Sequence, residues 1–283
     1  MINALMLLCL LQDPAPASLI PTDKDADAAV KKLKEDLSAS NADDAKIAAV
    51  KEALKTSHER VIKTSGELLS DPSDRVKVGV ALAIGDTDHP ASADMLHAAL
   101  TTYQKKPMVC AAVAQALGDL GWEASAPRLN ELVTKVGDPD IRPALPDVMK
   151  AIGAIGSVSS IDCLVDLLKK LQTARRNPWP NEGELIKAAQ GALRAITGGD
   201  VGKGADFEDW WKTVKAASLA GAKTTWWSKK THERVTLAIG EKAPADSLAV
   251  GVRITDPPAE AGGKDGGGED GGAAGKKKKK KGN

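Results

Sequence analysis

The strongest constraint in this 283-residue chain is a phrase that keeps returning. VALAIGD spans 80–86, QALGDLG spans 115–121, KAIGAIG spans 150–156 and GALRAITG spans 191–198. The glycines at 85, 118 and 153 are 33 and 35 residues apart. The fourth copy, read to Gly198, lies 45 residues on, after an insertion around NPWPN at 177–181. A period of this length with two amphipathic helices per unit is the signature of an α-solenoid. One such unit cannot bury its apolar face alone, so neighbouring units must stack.

The helical pattern between these endings predicts five pairs: 26–37 with 42–56, 59–69 with 73–85, 91–103 with 107–120, 124–136 with 139–155, and 160–173 with 184–196. In the second of these helices, Ala45, Ala49 and Ala53, with Ile47, Val50 and Leu54, recur at helical spacing. Alanine fills 45 positions, against six Trp, one Tyr and one Phe. Such a composition disfavours sandwiches and barrels, and alanine ridges let helices pack at close axial distance. The unit starting at Asp138 carries Pro143 and Pro146, so its second helix is expected to kink or restart near Pro146.

The units also share a beginning. Asp71-Pro72 leads to Arg75, and Asp138-Pro139 leads to Arg142. Asp is expected as N-cap, Pro as the first helical residue, and Arg one turn further on. Stacking would set these Asp and Arg side chains in register between units. In the third unit Lys106-Pro107 and Cys110 stand in their place. With its D-P-x-x-R start, alanine-rich second helix and A-L-G or I-G ending, the chain resembles the HEAT-repeat family over roughly 190 residues. The stretch ITGGDVGKGADFEDWWK, through Ile196, Thr197, Gly198, Trp210 and Trp211, is similar to the ending of HEAT-repeat proteins of planctomycete-like bacteria. The resemblance implies an all-α fold: a solenoid of about five helix pairs with a C-terminal capping helix and a small extension.

The two ends have other compositions. An apolar run from Ala4 to Leu11, followed by Ala15-Pro16-Ala17, resembles a secretory signal cleaved after Ala17, although no basic residue precedes the run. Export to a bacterial periplasm or envelope is therefore expected, and no integral span in the mature chain. Of the three cysteines, Cys110 and Cys163 lie in apolar helical patterns and read as small buried hydrophobes. From Asp256 to Gly275 eight of twenty residues are glycine, and Lys276, Lys277, Lys278, Lys279, Lys280 and Lys281 follow. This composition predicts a polar tether whose tip can contact a polyanion or simply solubilise the chain. The expected organisation is a signal peptide at 1–17, the solenoid with its capping helix at 18–221, an extension at 222–255 and the tail at 256–283.

Four of the six tryptophans form two doublets. Phe207, Trp210, Trp211 and Val214 are spaced as one face of a helix, the expected cap over the open end of the solenoid. Trp226 and Trp227 follow Gly221 in a strand-like context, where adjacent side chains point to opposite faces, so one of the two is expected to be exposed. Residues 235–239 and 248–254 read as two short strands of a hairpin around a Pro-containing turn. Lone Trp122 and Trp179 are expected to pack against the next repeat.

Catalytic patterns are weak. His58-Glu59 and His232-Glu233 lack the second His that a zincin requires four residues on, and His89 and His97 stand apart. GGDVGKG and GGGEDGG lack the strand-to-helix context of a phosphate cradle, and no serine sits in G-x-S-x-G. The 39 basic and 38 acidic residues leave a formal charge of +1, which disfavours a surface built for nucleic acid. The expected function is a non-catalytic scaffold binding an unidentified protein partner, with no cofactor or metal. Its candidate contacts are Arg75, Lys77, Asp119, Lys150, Lys187, Arg194, Trp226 and Trp227. The alternatives are a bilin-lyase-like or DNA-glycosylase-like enzyme, which the resemblance admits, or polyanion binding through the lysine tip alone.

Overall fold

The computed structural model describes residues 20–173, 181–198 and 219–254, with residues 209, 211, 212 and 215 between the last two stretches. The leader, Trp179, Phe207, Trp210, Val214 and the six terminal lysines lie outside the described residues. Ten α-helices run in order among the described residues. They are α1 (Asp23–Ala39), α2 (Asp43–Leu54), α3 (Glu59–Gly66), α4 (Asp74–Gly85), α5 (Pro90–Tyr103), α6 (Pro107–Leu120), α7 (Ala126–Thr134), α8 (Leu145–Ile155), α9 (Ile161–Thr173) and α10 (Glu182–Thr197). They form the five expected pairs of an α-solenoid.

The recurring glycine explains how the second helix of each pair stacks on the next. A Cβ on Gly85 would lie 2.7 Å from the Cα of Ala116, one on Gly118 2.9 Å from the Cα of Ala151, and one on Gly153 3.0 Å from the Cα of Ala192. The second helices α4, α6, α8 and α10 therefore meet backbone to backbone, with Gly on one helix and Ala on the other. That contact fills a core with few aromatic rings. A second glycine three residues on has another task. Gly121 (φ 63°) and Gly156 (φ 73°) close α6 and α8 in the left-handed conformation, each N–H returning to a helix carbonyl.

Helix starts differ from the expectation at one motif. Asp71 is not an N-cap. Its carboxylate accepts the Ser73 N–H at 2.9 Å, and Ser73 caps α4. Pro72 thus lies before the helix, and Asp138 likewise accepts the Asp140 N–H at 2.9 Å in a turn before a 3-10 segment. The repeats are bridged by lysine and arginine alike: Lys46 pairs with Asp71 at 2.8 Å, Lys106 with Asp74 at 3.0 Å, Lys105 with Asp138 at 3.5 Å and Arg60 with Asp23 at 3.1 Å. Arg75 reaches Asp44 of the preceding unit, whereas Arg142 binds the carbonyls of Val136 and Gly137 in its own loop. The helix expected from residue 139 restarts at Leu145, with Pro146 in the first turn, where a missing N–H costs little.

The extension is a sheet of three strands, not a hairpin of two. β1 (Lys223–Ser228) lies between β2 (Arg234–Ala238) and β3 (Ser247–Arg253), antiparallel to both. The two strands expected to pair with each other sit on opposite edges of β1, because the Thr- and Trp-rich segment takes the centre. A bulge on the β1–β3 ladder falls between Thr225 and Trp226. Of the expected capping segment, Trp211 is buried in the common core.

Candidate functional site

Two surfaces gather the candidate residues. The first is the face of the second helices. Between α8 and α10 it opens into a groove of about 490 Å³. Pro146, Gly153, Ala154, Ala188, Gly191 and Ala195 make its apolar lining, with Lys150, Lys187 and Glu184 beside them. Lys150 and Lys187 are exposed, and Lys150 pairs with Asp147 on its own helix at 3.1 Å. Gly191 differs from the stacking glycines, because a Cβ there would meet nothing within 4 Å. Packing among the described residues therefore does not call for glycine at that point of α10.

Asp119 and Arg194 are exposed on the same row of helices, and Arg75 is exposed but ion-paired to Asp44 at 2.6 Å. Lys77 corrects the expectation of an exposed contact. It is 4% exposed, its ammonium bound to Asp74 at 2.8 Å and 5.5 Å from the centre of the Tyr103 ring. Its position on α4 turns it inward, so it braces two repeats and offers no surface.

The second surface is the seam between sheet and solenoid. The sheet lies across the C-terminal ends of α4, α6 and α8, where helices leave unpaired carbonyls and partial negative charge. Arg234 forks onto both carboxylate oxygens of Asp88 at 2.8 and 2.7 Å and also donates to the Leu120 carbonyl. Arg253 donates to the Ala154 carbonyl at 3.1 Å. A side chain at Gly121 would collide with Arg253, since its Cβ would lie 2.7 Å from the guanidinium. Glu123, after α6, accepts the Val252 N–H of β3 at 3.0 Å and the Ser157 hydroxyl of the next unit at 2.9 Å.

Aromatic rings close one end of this seam. Trp227 is 3% exposed, and its neighbour Trp226 on the other face is half-buried, so neither stands fully in solvent. Trp227 lies 5.0 Å from the His232 ring, 5.5 Å from His89 and 6.4 Å from Trp122, centre to centre. Trp122 thus packs on the sheet as well as within the repeats. His89 is the N-cap of α5, its Nδ1 accepting the Ala91 N–H at 3.1 Å, and His58 caps α3 in the same way at 3.2 Å. Burial holds His89 below its ordinary pKa, and the neighbouring His232 adds to the effect. His97 is also held low by burial and bonds Ser125 at 2.8 Å.

Sequence reasoning passed over Arg234, Arg253, Asp88 and Glu123. One signal was present: Asp88 follows Gly85 by three residues, where the next two units place the left-handed glycines 121 and 156. Among the described residues no three His, Cys, Asp or Glu side chains gather as a metal site would need. Cys110 is fully buried, and burial pushes its thiol up to about 11; Cys163 is half-buried, and both are free thiols. Among the described residues no helix is long and apolar enough to cross a membrane.

Residues 62–145, which run from α3 to the start of α8, match the model of HEAT repeats. That segment carries HEAT repeats. After the matched segment the stacking continues through the Gly153–Ala192 contact, and before it Gly79 of α4 packs against the Ile47 side chain of α2. A crystal structure of an engineered protein is similar at 20% identity and a TM-score of 0.39, over 62% of this chain and 80% of that one. No curated protein matches the chain.

Proposed function

We propose that this HEAT-repeat chain is a non-catalytic binding scaffold, and that the groove between α8 and α10 receives a segment of a protein partner. The carrying observation is Gly191, an exposed glycine inside a helix with open space around its Cα. Glycine there lowers helix stability by about 1 kcal/mol relative to alanine, and no contact among the described residues compensates. A partner backbone brought close to α10 would. The flanking Lys150, Lys187 and Glu184 would fix its register by charge.

The test places a photoreactive residue at position 187, and as a control at Glu35 on α1, in the full chain within its native extract. A partner crosslinked from 187 but not from 35, and lost in Gly191→Trp, is the expected result. Identical products from both positions would overturn the reading. We also propose export, supported by the leader sequence alone. A mature chain beginning at Ser18 by mass spectrometry is expected, and an intact Met1 start would refute it.

A further inference from the structure

The seam between sheet and solenoid is held at two unlike places. At one end Arg253, opposite Lys223 of β1, caps a helix carbonyl. At the other, Trp227 sits between two imidazoles, His232 from the β1–β2 turn and His89 from the start of α5. The imidazoles also face each other, 5.8 Å apart between centres. We propose that this His89–Trp227–His232 cluster is an acid-operated latch that releases the sheet from the solenoid edge.

His89 can hold its place only while neutral. Its Nδ1 accepts the Ala91 N–H, so that nitrogen carries no proton in the latched form. A proton arriving there removes the N-cap of α5 and sets a cation at the N-terminal, positive end of a helix. The cation would stand 5.5 Å from the centre of the Trp227 ring and 5.8 Å from that of His232, in a contact built around a neutral His89. His232 sits in a left-handed turn (φ 56°), a conformation histidine adopts more readily than most side chains.

The other charges around His89 do not cancel the effect. From α3 come His58, which works against a charge on His89, and Glu59, which is tied to Lys63 at 2.5 Å. Asp88, the next residue in the chain, is engaged by Arg234. Asp94 of α5 and Lys229 of the β1–β2 turn line the same cleft. Burial opposes the charged imidazole in addition, so acidification favours the open form. The indole N–H of Trp227 and that of Trp122 are both buried with no acceptor among the described residues, so they add no hydrogen bond to the Arg234–Asp88 fork at this end of the seam.

The full chain labelled with ¹⁵N-tryptophan reports the latch directly, since each indole N–H gives one resonance. The Trp227 signal is assigned by its loss in Trp227→Phe. Between about pH 7.5 and about pH 5, the window in which imidazoles titrate, the Trp227 and Trp122 signals are expected to shift together. Hydrogen-exchange protection of β1, corrected for intrinsic rate, is expected to fall roughly tenfold for each unit by which the folded His pKa lies below the unfolded one. In His89→Asn, which keeps a capping oxygen and cannot titrate, and in His89→Asn/His232→Gln, the transition is expected to vanish while helix content stays unchanged. A wild-type Trp227 signal and β1 protection that stay flat to about pH 5 would overturn the latch. So would an unchanged transition in the double variant. Direct observation of the His89 imidazole C–H resonance in the wild-type chain decides the matter should either variant fold poorly: His89 must titrate with the Trp227 shift.

Discussion

Gly118 and Gly191 are both helical glycines in second helices, and they do opposite things. A Cβ at 118 would press on the backbone of Ala151, which cannot step aside. Gly118→Ala is therefore expected to destabilise by about 1–3 kcal/mol, the cost of overpacking. Gly191→Ala meets open space and is expected to stabilise by up to about 1 kcal/mol, by helix propensity alone. Urea unfolding of the two variants beside the wild type checks both signs. Equal effects would show that the stacking geometry of α6 on α8 is wrong. The repeat of Gly85, Gly118 and Gly153 is visible in the chain as written, because a close contact between units must recur with the unit. The task of each glycine is not visible. Gly118 and Gly121 stand three residues apart with similar neighbours, yet the first is needed because Ala151 approaches it inside the helix and the second because it closes α6 at φ 63°.

Between elements, the least expected contact is Arg234. Its fork on Asp88 and its bond to the Leu120 carbonyl join β2 to the ends of α4 and α6 at once. Arg234→Leu is expected to destabilise by about 1–2 kcal/mol, allowing for the half-exposed Asp88. Lysine at the same place should recover only part of that, since it offers a point charge and no fork. Thermal melts of the two variants provide the measurement, and a lysine variant as stable as wild type would reduce the fork to an ordinary surface pair. The helices were legible because 3.6-residue periodicity is a local property, and Pro146 marks where α8 restarts. The sheet was only half legible. Short strands announce themselves by composition, but their order depends on which segment is apolar on both faces, and here Trp226 and Trp227 draw β1 to the centre. Asp71 misled for a similar reason: Asp-Pro serves a turn as readily as a cap, and Ser73 two residues on took the capping role.

At the scale of the whole molecule, stability should fall with acid in two separate steps. His97 is buried between α5 and the turn leading into α7, bonded to Ser125, and burial there keeps its folded pKa below the ordinary 6.5. The unfolded chain then binds a proton that the folded chain refuses, so stability is complete above that value and declines as pH falls from it. His89 contributes in the same direction, but at the seam alone. Asp71 makes the second step. The Lys46 ammonium holds its carboxyl below the ordinary 3.8, so its contribution persists above that value and is lost only as pH falls through the lower folded one. Since a solenoid's stability is passed between neighbouring units, both steps should appear in global melting and not just near the groups that titrate. Melting temperature followed by circular dichroism is expected to drop first below about pH 6.5 and again below about pH 4. His97→Gln, which keeps a partner for Ser125, should flatten most of the upper step and leave the lower one. A variant that retains the full upper step would assign it to His89 and the seam, and would make the sheet, rather than the junction between α5 and α7, the part on which the solenoid's acid stability turns.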